Sequence, residues 1–151
     1  MSGQWDVARS AVATKIAASA GCAAAGLRKA DTDSDAPLVP PHLRVLQVSA
    51  FEMTGRPNAY QEQYRLTIVA ELVVPKPAGK RRAEPTVATI ARAVQVEFQT
   101  GITIGQSSYV TECVLAAWSE GLQEYAHTDM DGGRFTFLLD VIETLATART
   151  A

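Results

Sequence analysis

Few residues in this chain stand at spacings that suggest chemistry. His127 and Asp129 lie two apart in the polar stretch Glu124-Tyr125-Ala126-His127-Thr128-Asp129, where an imidazole base and a carboxylate that orients it would fit. No nucleophile motif accompanies them, and a stretch of this composition reads as a solvated loop. His42 lies beside two prolines. Cys22 and Cys113 have neither a CxxC partner nor a nearby histidine, which argues against a zinc site; both lie on apolar stretches and read as buried free thiols. Asp31, Asp33 and Asp35 alternate as in a calcium loop but lack its central glycine and closing glutamate, so they read as a solvated acidic linker. Gly101 to Gly105 has glycines but no following helix to hold a phosphate. There is no GxSxG, P-loop or dinucleotide fingerprint. The expectation is a protein that is not an enzyme, with no catalytic residue, metal ligand or cofactor.

One cluster invites a contact rather than a reaction. Lys76, Lys80, Arg81 and Arg82 fall between Pro75 and Pro85, with Pro77 and Gly79 among them. Such a run is either a flexible, solvated turn or an arm that reaches an acidic surface or nucleic acid phosphates. No aromatic residues alternate with the cations, so base stacking is not implied. The net charge of −2 excludes nucleic acid binding by bulk charge.

The elements around that loop are the clearest in the chain. From Gln61 to Val74 the pattern predicts a long strand, with Tyr64, Leu66, Ile68, Ala70, Leu72 and Val74 on one face and Arg65, Thr67, Val69, Glu71 and Val73 on the other. From Thr86 to Gln99, Val87, Ile90, Ala91, Val94 and Phe98 form one stripe of an amphipathic helix. Upstream, Trp5 to Leu27 reads as a first helix rich in alanine. Lys29 to His42 reads as a connector whose aspartates and prolines exclude helix and central strand. Leu43 to Met53 is a predicted strand, and Thr54 to Asn58 a turn cluster. Ile102 to Gln106 is a short strand end, and Tyr109 to Trp118 a third strand. Ser119 to Gly133 is a polar loop. Arg134 to Thr144 is a fourth strand, with Phe135, Phe137, Leu139 and Val141 on one face.

A chain of 151 residues suits one domain, residues 1–151, with a helix at 5–27, an acidic proline-rich linker at 29–42 and a sheet-helix core at 43–145. The expected fold class is α+β: a single, mostly antiparallel sheet of four to five strands with two helices packed on one face. The second strand faces hold more apolar surface (Val69, Val73, Val110, Val114, Leu138, Ile142) than a solvated face needs, and a partner subunit would cover it. The candidate interface is therefore Lys76, Lys80, Arg81, Arg82, Val69, Val73, Leu138 and Ile142. A different class of reading makes Tyr64, Phe98, Phe135 and Phe137 the lining of a small-molecule pocket, rather than core. Ser19-Ala20-Gly21-Cys22 is faintly similar to a lipoprotein cleavage site, but Lys15 interrupts the apolar run before it. No stretch approaches the roughly 20 apolar residues of a membrane span.

In the run YRLTIVAELVV (Tyr64 to Val74), the helix TVATIARAVQVEF (Thr86 to Phe98), the strand VTECVLAAW (Val110 to Trp118) and the final run RFTFLLDVIETL (Arg134 to Leu145), the chain resembles the tail terminator proteins of long-tailed bacteriophages, the minor tail protein U kind. The resemblance covers most of the chain and is one of pattern. It implies a structural virion protein, made in the host cytoplasm, that assembles into a hexameric ring. That ring would cap the tail tube and meet the connector at the head's neck, with non-specific contact to passing DNA and none to a membrane. Other neck and tail-completion proteins look similar. The linker here is longer and more acidic than that resemblance implies.

Overall fold

The computed structural model describes residues 2–32, 37, 40–75, 87–99, 103–104, 108–125 and 128–145. The elements are α1 (Ser2–Ala17), α2 (Ala20–Ala24), β1 (Lys29–Asp31), β2 (His42–Asn58), β3 (Gln61–Pro75), α3 (Val87–Glu97), β4 (Thr103–Ile104), β5 (Ser108–Tyr125) and β6 (Thr128–Thr144). The fold is α+β around one sheet in the order β1-β2-β3-β6-β5-β4. β1 pairs parallel with β2, and every other pairing is antiparallel.

The long strand and the helix that follows it form where the periodicity places them. On β3, Tyr64, Leu66, Ile68, Ala70, Leu72 and Val74 are all buried. Paired residues of adjacent strands share a face. The β3–β6 register therefore puts Phe135, Phe137, Leu139 and Val141 beside Ala70, Ile68, Leu66 and Tyr64. The buried stripe of α3 (Val87, Ile90, Ala91, Val94), Phe98 just after it, and Ala8, Val12, Ala13 and Ile16 of α1 join this face in one apolar cluster. Phe98 meets Phe137 with ring centroids 5.3 Å apart, tilted by 57°. Each fully buried phenylalanine contributes about 1.5–3 kcal/mol relative to an exposed one.

Four expectations need correction. The first helix is not continuous from Trp5 to Leu27. It stops at Ala17, because the Ser19 hydroxyl accepts from the Cys22 backbone N–H (3.1 Å) and starts α2 as its N-cap. Ala20 and Ala23 of the expected apolar stripe are consequently exposed. α2 ends in a Schellman motif: Gly26, at φ 105°, donates to Ala23 O, and Leu27 to Cys22 O. Second, the connector holds a short strand, β1, which pairs parallel with β2 on the sheet edge. Its described prolines follow the strand, and Pro41 lends it only a carbonyl, which accepts from Arg28 N (2.9 Å) and Lys29 N (3.3 Å).

Third, Thr54 to Asn58 is not a turn. β2 runs on to Asn58 and absorbs Gly55 and Pro57 as register shifts; the turn is Ala59-Tyr60, with the Asn58 side chain accepting from Tyr60 N at 2.8 Å. Fourth, Ser119 to Gly133 is not a polar loop. Its described residues extend β5 and β6 into a long hairpin, paired from Ser119 with Arg134 to Tyr125 with Thr128. Backbone pairing runs through this stretch, whose polar and glycine-rich sequence offers no apolar period to read. Shifts at Val110/Glu112 and Leu115/Ala117 also interrupt the two-residue alternation of a regular strand along β5. They set Cys113, Leu115 and Trp118 beside Leu139, Phe137 and Phe135.

Gly133 is required by close approach. A Cβ there would stand 2.8 Å from Val87 Cγ1 and 3.0 Å from the Ser119 carbonyl oxygen. Gly133→Ala should lower stability by about 1–3 kcal/mol, because α3 must shift off the sheet. Urea denaturation of both proteins measures it; an unchanged midpoint would contradict this packing.

Candidate interaction surface

The predicted interface residues divide into two groups. Lys76, Lys80, Arg81 and Arg82 lie outside the described residues. The two anchors of their loop are described and lie at one end of the sheet. Pro75 ends β3, and Val87, which opens α3, packs toward Gly133, the partner of Leu72.

Val69, Val73, Leu138 and Ile142 fall together on the second face of β3 and β6, outside the apolar cluster. Leu138 and Ile142 are half-buried, and Val114 alongside them on β5 is 37% exposed. Val69 and Val73 are only 5% and 2% exposed within the chain itself, so they offer a partner little surface. The same face carries Arg65, which grips Asp140 across the β3–β6 pair through Nε (2.9 Å) and Nη2 (3.4 Å). The hydrogen bond and charge of Asp140 raise the Arg65 pKa. The arginine is 43% exposed, so solvent screens the pair, and it serves mainly to fix register.

One arrangement was invisible in the sequence. The β1–β2 pairing brings Asp31 of the acidic stretch to His42, with Oδ1 3.1 Å from Nε2. A histidine and a carboxylate at this distance can act as a base and its orienter. Here His42 is fully buried, and no substrate can reach it. Burial lowers its pKa, and the hydrogen bond to Asp31 works against that shift. The pair therefore ties the edge strand to the sheet. Of the other suggested dyad, His127 lies outside the described residues, while Asp129 sits on β6 opposite Glu124.

The thiols and aromatics are core. Cys22 and Cys113 are free and buried, and burial pushes the Cys113 thiol up to about 12. Tyr64, Phe98, Phe135 and Phe137 are each 5% exposed or less. A cleft of about 150 Å³ lies elsewhere, lined by Ile16, Ser19, Leu27 and Lys29 among others. That is below the roughly 300 Å³ at which small-molecule sites begin. Among the described residues, no group of three or more His, Cys, Asp or Glu could hold a metal ion, and no helix is long and apolar enough to cross a membrane.

At the end of the sheet opposite the basic loop, the core face terminates in acid. Glu62 and Glu143 are direct cross-strand partners on the face that carries Tyr64 and Val141. Glu143 is 8% exposed. The Tyr64 hydroxyl is buried and has no hydrogen-bond partner among the described residues. Burial, then the charges of Glu143 and Glu62, push its pKa up to about 12. Phe51 packs on the Tyr64 ring at 5.3 Å and is 42% exposed, and Met53, the cross-strand partner of Tyr64, is 37% exposed. The signal was present in the sequence: the period of two that marks the apolar face meets a glutamate just beyond it on both strands.

No protein-family model matches the chain, and no curated protein matches it in sequence.

Like charges placed directly opposite one another destabilise a sheet. Burial and then the Glu62 charge push the Glu143 carboxyl above its ordinary 4.5. A raised folded-state pKa means that the protonated group favours the fold. Its contribution is complete below the unfolded value and is lost as pH rises through the folded one. Glu143→Gln should therefore melt above the wild type at pH 7, with the margin closing below about pH 4.5. Melting curves across about pH 3.5 to 8 measure this; a margin independent of pH would show that the fold does not raise the Glu143 pKa.

Proposed function

We propose that the chain is a ring-forming structural subunit of a long-tailed phage virion, of the tail terminator kind. Copies close into a ring, a hexamer by the resemblance, that caps the tail tube and meets the connector at the neck. The subunit carries out no turnover. The observation that carries the ring is the second face of the sheet. Leu138, Ile142 and Val114 lie there in one patch, outside the apolar cluster and partly open to solvent. A neighbouring subunit is the simplest cover for such a patch. The α+β order of elements and the four runs from Tyr64 to Leu145 support the tail terminator assignment over other subunits that assemble. Another neck or tail-completion protein shares both features, and the binding partner separates the two.

The basic loop from Pro75 to Pro85 is read as a contact arm of this assembly. Each exposed ion pair is worth only about 0–1 kcal/mol, so the effect comes from several contacts repeated around a ring. Negative-stain images and the mass of the purified protein, alone and with tail tubes, test the reading. A ring seated on the tube end is expected. A homogeneous monomer at high concentration and with tubes present would overturn it. Lys80→Ser/Arg81→Ser/Arg82→Ser should melt with the wild type yet attach more weakly, and attachment should weaken as salt rises.

A further inference from the structure

The two outer strands of the sheet are covered for only a fraction of their length. β1 pairs with His42, Leu43 and Arg44 of β2, and β4 with Ser108 and Tyr109 of β5. Among the described residues, no strand lies outside residues 46–58 of β2 or residues 110–125 of β5. An edge of this kind offers its outward N–H and C=O groups to a further strand. The helices also stop short of both edges. Phe51 and Met53 of β2 are 42% and 37% exposed, and Trp118 of β5 is 43% exposed. Their cross-strand partners Leu66, Tyr64 and Phe135 are each 2% exposed or less.

Resting on the ring reading, we propose that the β2 edge of one copy of this chain takes the β5 edge of a second copy, so that the sheet continues from subunit to subunit. The steps β2 to β3, β3 to β6 and β6 to β5 are all antiparallel, so β2 and β5 run in opposite directions. A copy set alongside in the same orientation therefore lays its β5 antiparallel to β2, with its helices on the same side. Charge selects the register. With the two sheets level, Glu52 would meet the neighbour's Glu112, because Glu52 pairs with Arg65, Arg65 with Asp140, and Asp140 with Glu112. A stagger of two residues toward the Gln61 end, about 7 Å, brings that Glu112 to Gly55 instead, next to the exposed Arg56. The same stagger sets the neighbour's Leu115 beside Phe51 and its Trp118 beside Val48, which covers apolar surface that the single chain leaves open. Adjacent strands rotate by about 20–25°, so the far end of the neighbour's β5 leaves the plane of β2 and passes β1. The register shifts of β2 leave residues 50–53 as its longest regular run beyond β1, which confines pairing to that stretch. Two β5 edges would meet acid to acid, since residues 110–125 hold Glu112, Glu120 and Glu124 and no lysine or arginine. A contact between unlike edges is heterologous: it closes into a ring if the rotation between neighbours allows, and propagates otherwise.

Lysines on an edge strand block its pairing, so two variants of the full chain test the contact. Phe51→Lys/Met53→Lys blunts the β2 edge, and Ala116→Lys/Trp118→Lys blunts the β5 edge. Melting first establishes that both are folded. By sedimentation, each variant alone should lose the association that the wild type shows. An equimolar mixture should stop at a heterodimer, because each variant keeps the edge that the other lacks. Amide exchange over residues 50–53 should be at least about tenfold slower in the wild-type assembly than in the Ala116→Lys/Trp118→Lys protein. Arg56→Glu and Glu112→Arg leave the apolar residues in place. Each alone should move assembly to higher protein concentration, and the two in one chain should move it back.

Dimers of the Ala116→Lys/Trp118→Lys protein alone would assign the contact to two β2 edges, and dimers of the Phe51→Lys/Met53→Lys protein alone to two β5 edges; either overturns the proposal. If the wild type forms rings and both Lys variants form them equally well, the subunits meet elsewhere: this inference fails and the ring reading stands. If the wild type stays a monomer at high concentration with tail tubes present, the ring reading fails and this inference fails with it.

Discussion

Every other part of the molecule depends on the register between β3 and β6. Their pairing runs from Gln61 opposite Thr144 to Pro75 opposite Met130 without a shift. A slip of one residue would turn Leu66, Ile68 and Leu72 to the second face and bring Arg65 and Glu71 into the core. Two devices oppose such a slip. One face of each strand is buried along its length from Tyr64 to Val74 and from Phe135 to Val141, and Arg65 holds Asp140 across the pair. The outer strands have no such regularity. β2 shifts register at four places and β5 at two. Irregularity collects where bulges blunt the edges of a sheet against unwanted pairing, and where strand twist must be accommodated.

The parts of the fold that sequence reading reached are those where burial enforces a period. β3 and the core faces of β6 and α3 are read almost residue for residue, because each buries one face and exposes another. The parts missed are held by hydrogen bonds that leave no period. The hairpin beyond Ser119 is one, and the extension of β2 through Gly55 and Pro57 is another. The break at Ser19 was missed because a capping serine amid alanines looks like one more small residue on a helix. The same division governs the sites. The basic loop was legible from composition, whereas the His42–Asp31 and Glu62–Glu143 pairs arise from cross-strand register, which a linear pattern does not contain.

The sheet thus presents two surfaces of different character. Its second face is broad and mixed, with valine and leucine beside an ion pair. Its acidic end is narrow, with two carboxylates, a phenol and exposed rings gathered at one turn.

The unbroken central ladder also has a mechanical meaning. A pull along the strands on β3 against β6 would load all fifteen paired positions at once, in shear, so that the bonds must fail together. A pull on the His42 end of β2, at right angles to the strands, would open β2 from β3 one pair at a time, starting at His42 and Val73. The subunit is thus stiff along the strand axis and yields most readily at its bulged margins. A particle built from it would carry tension best with that axis aligned to the load.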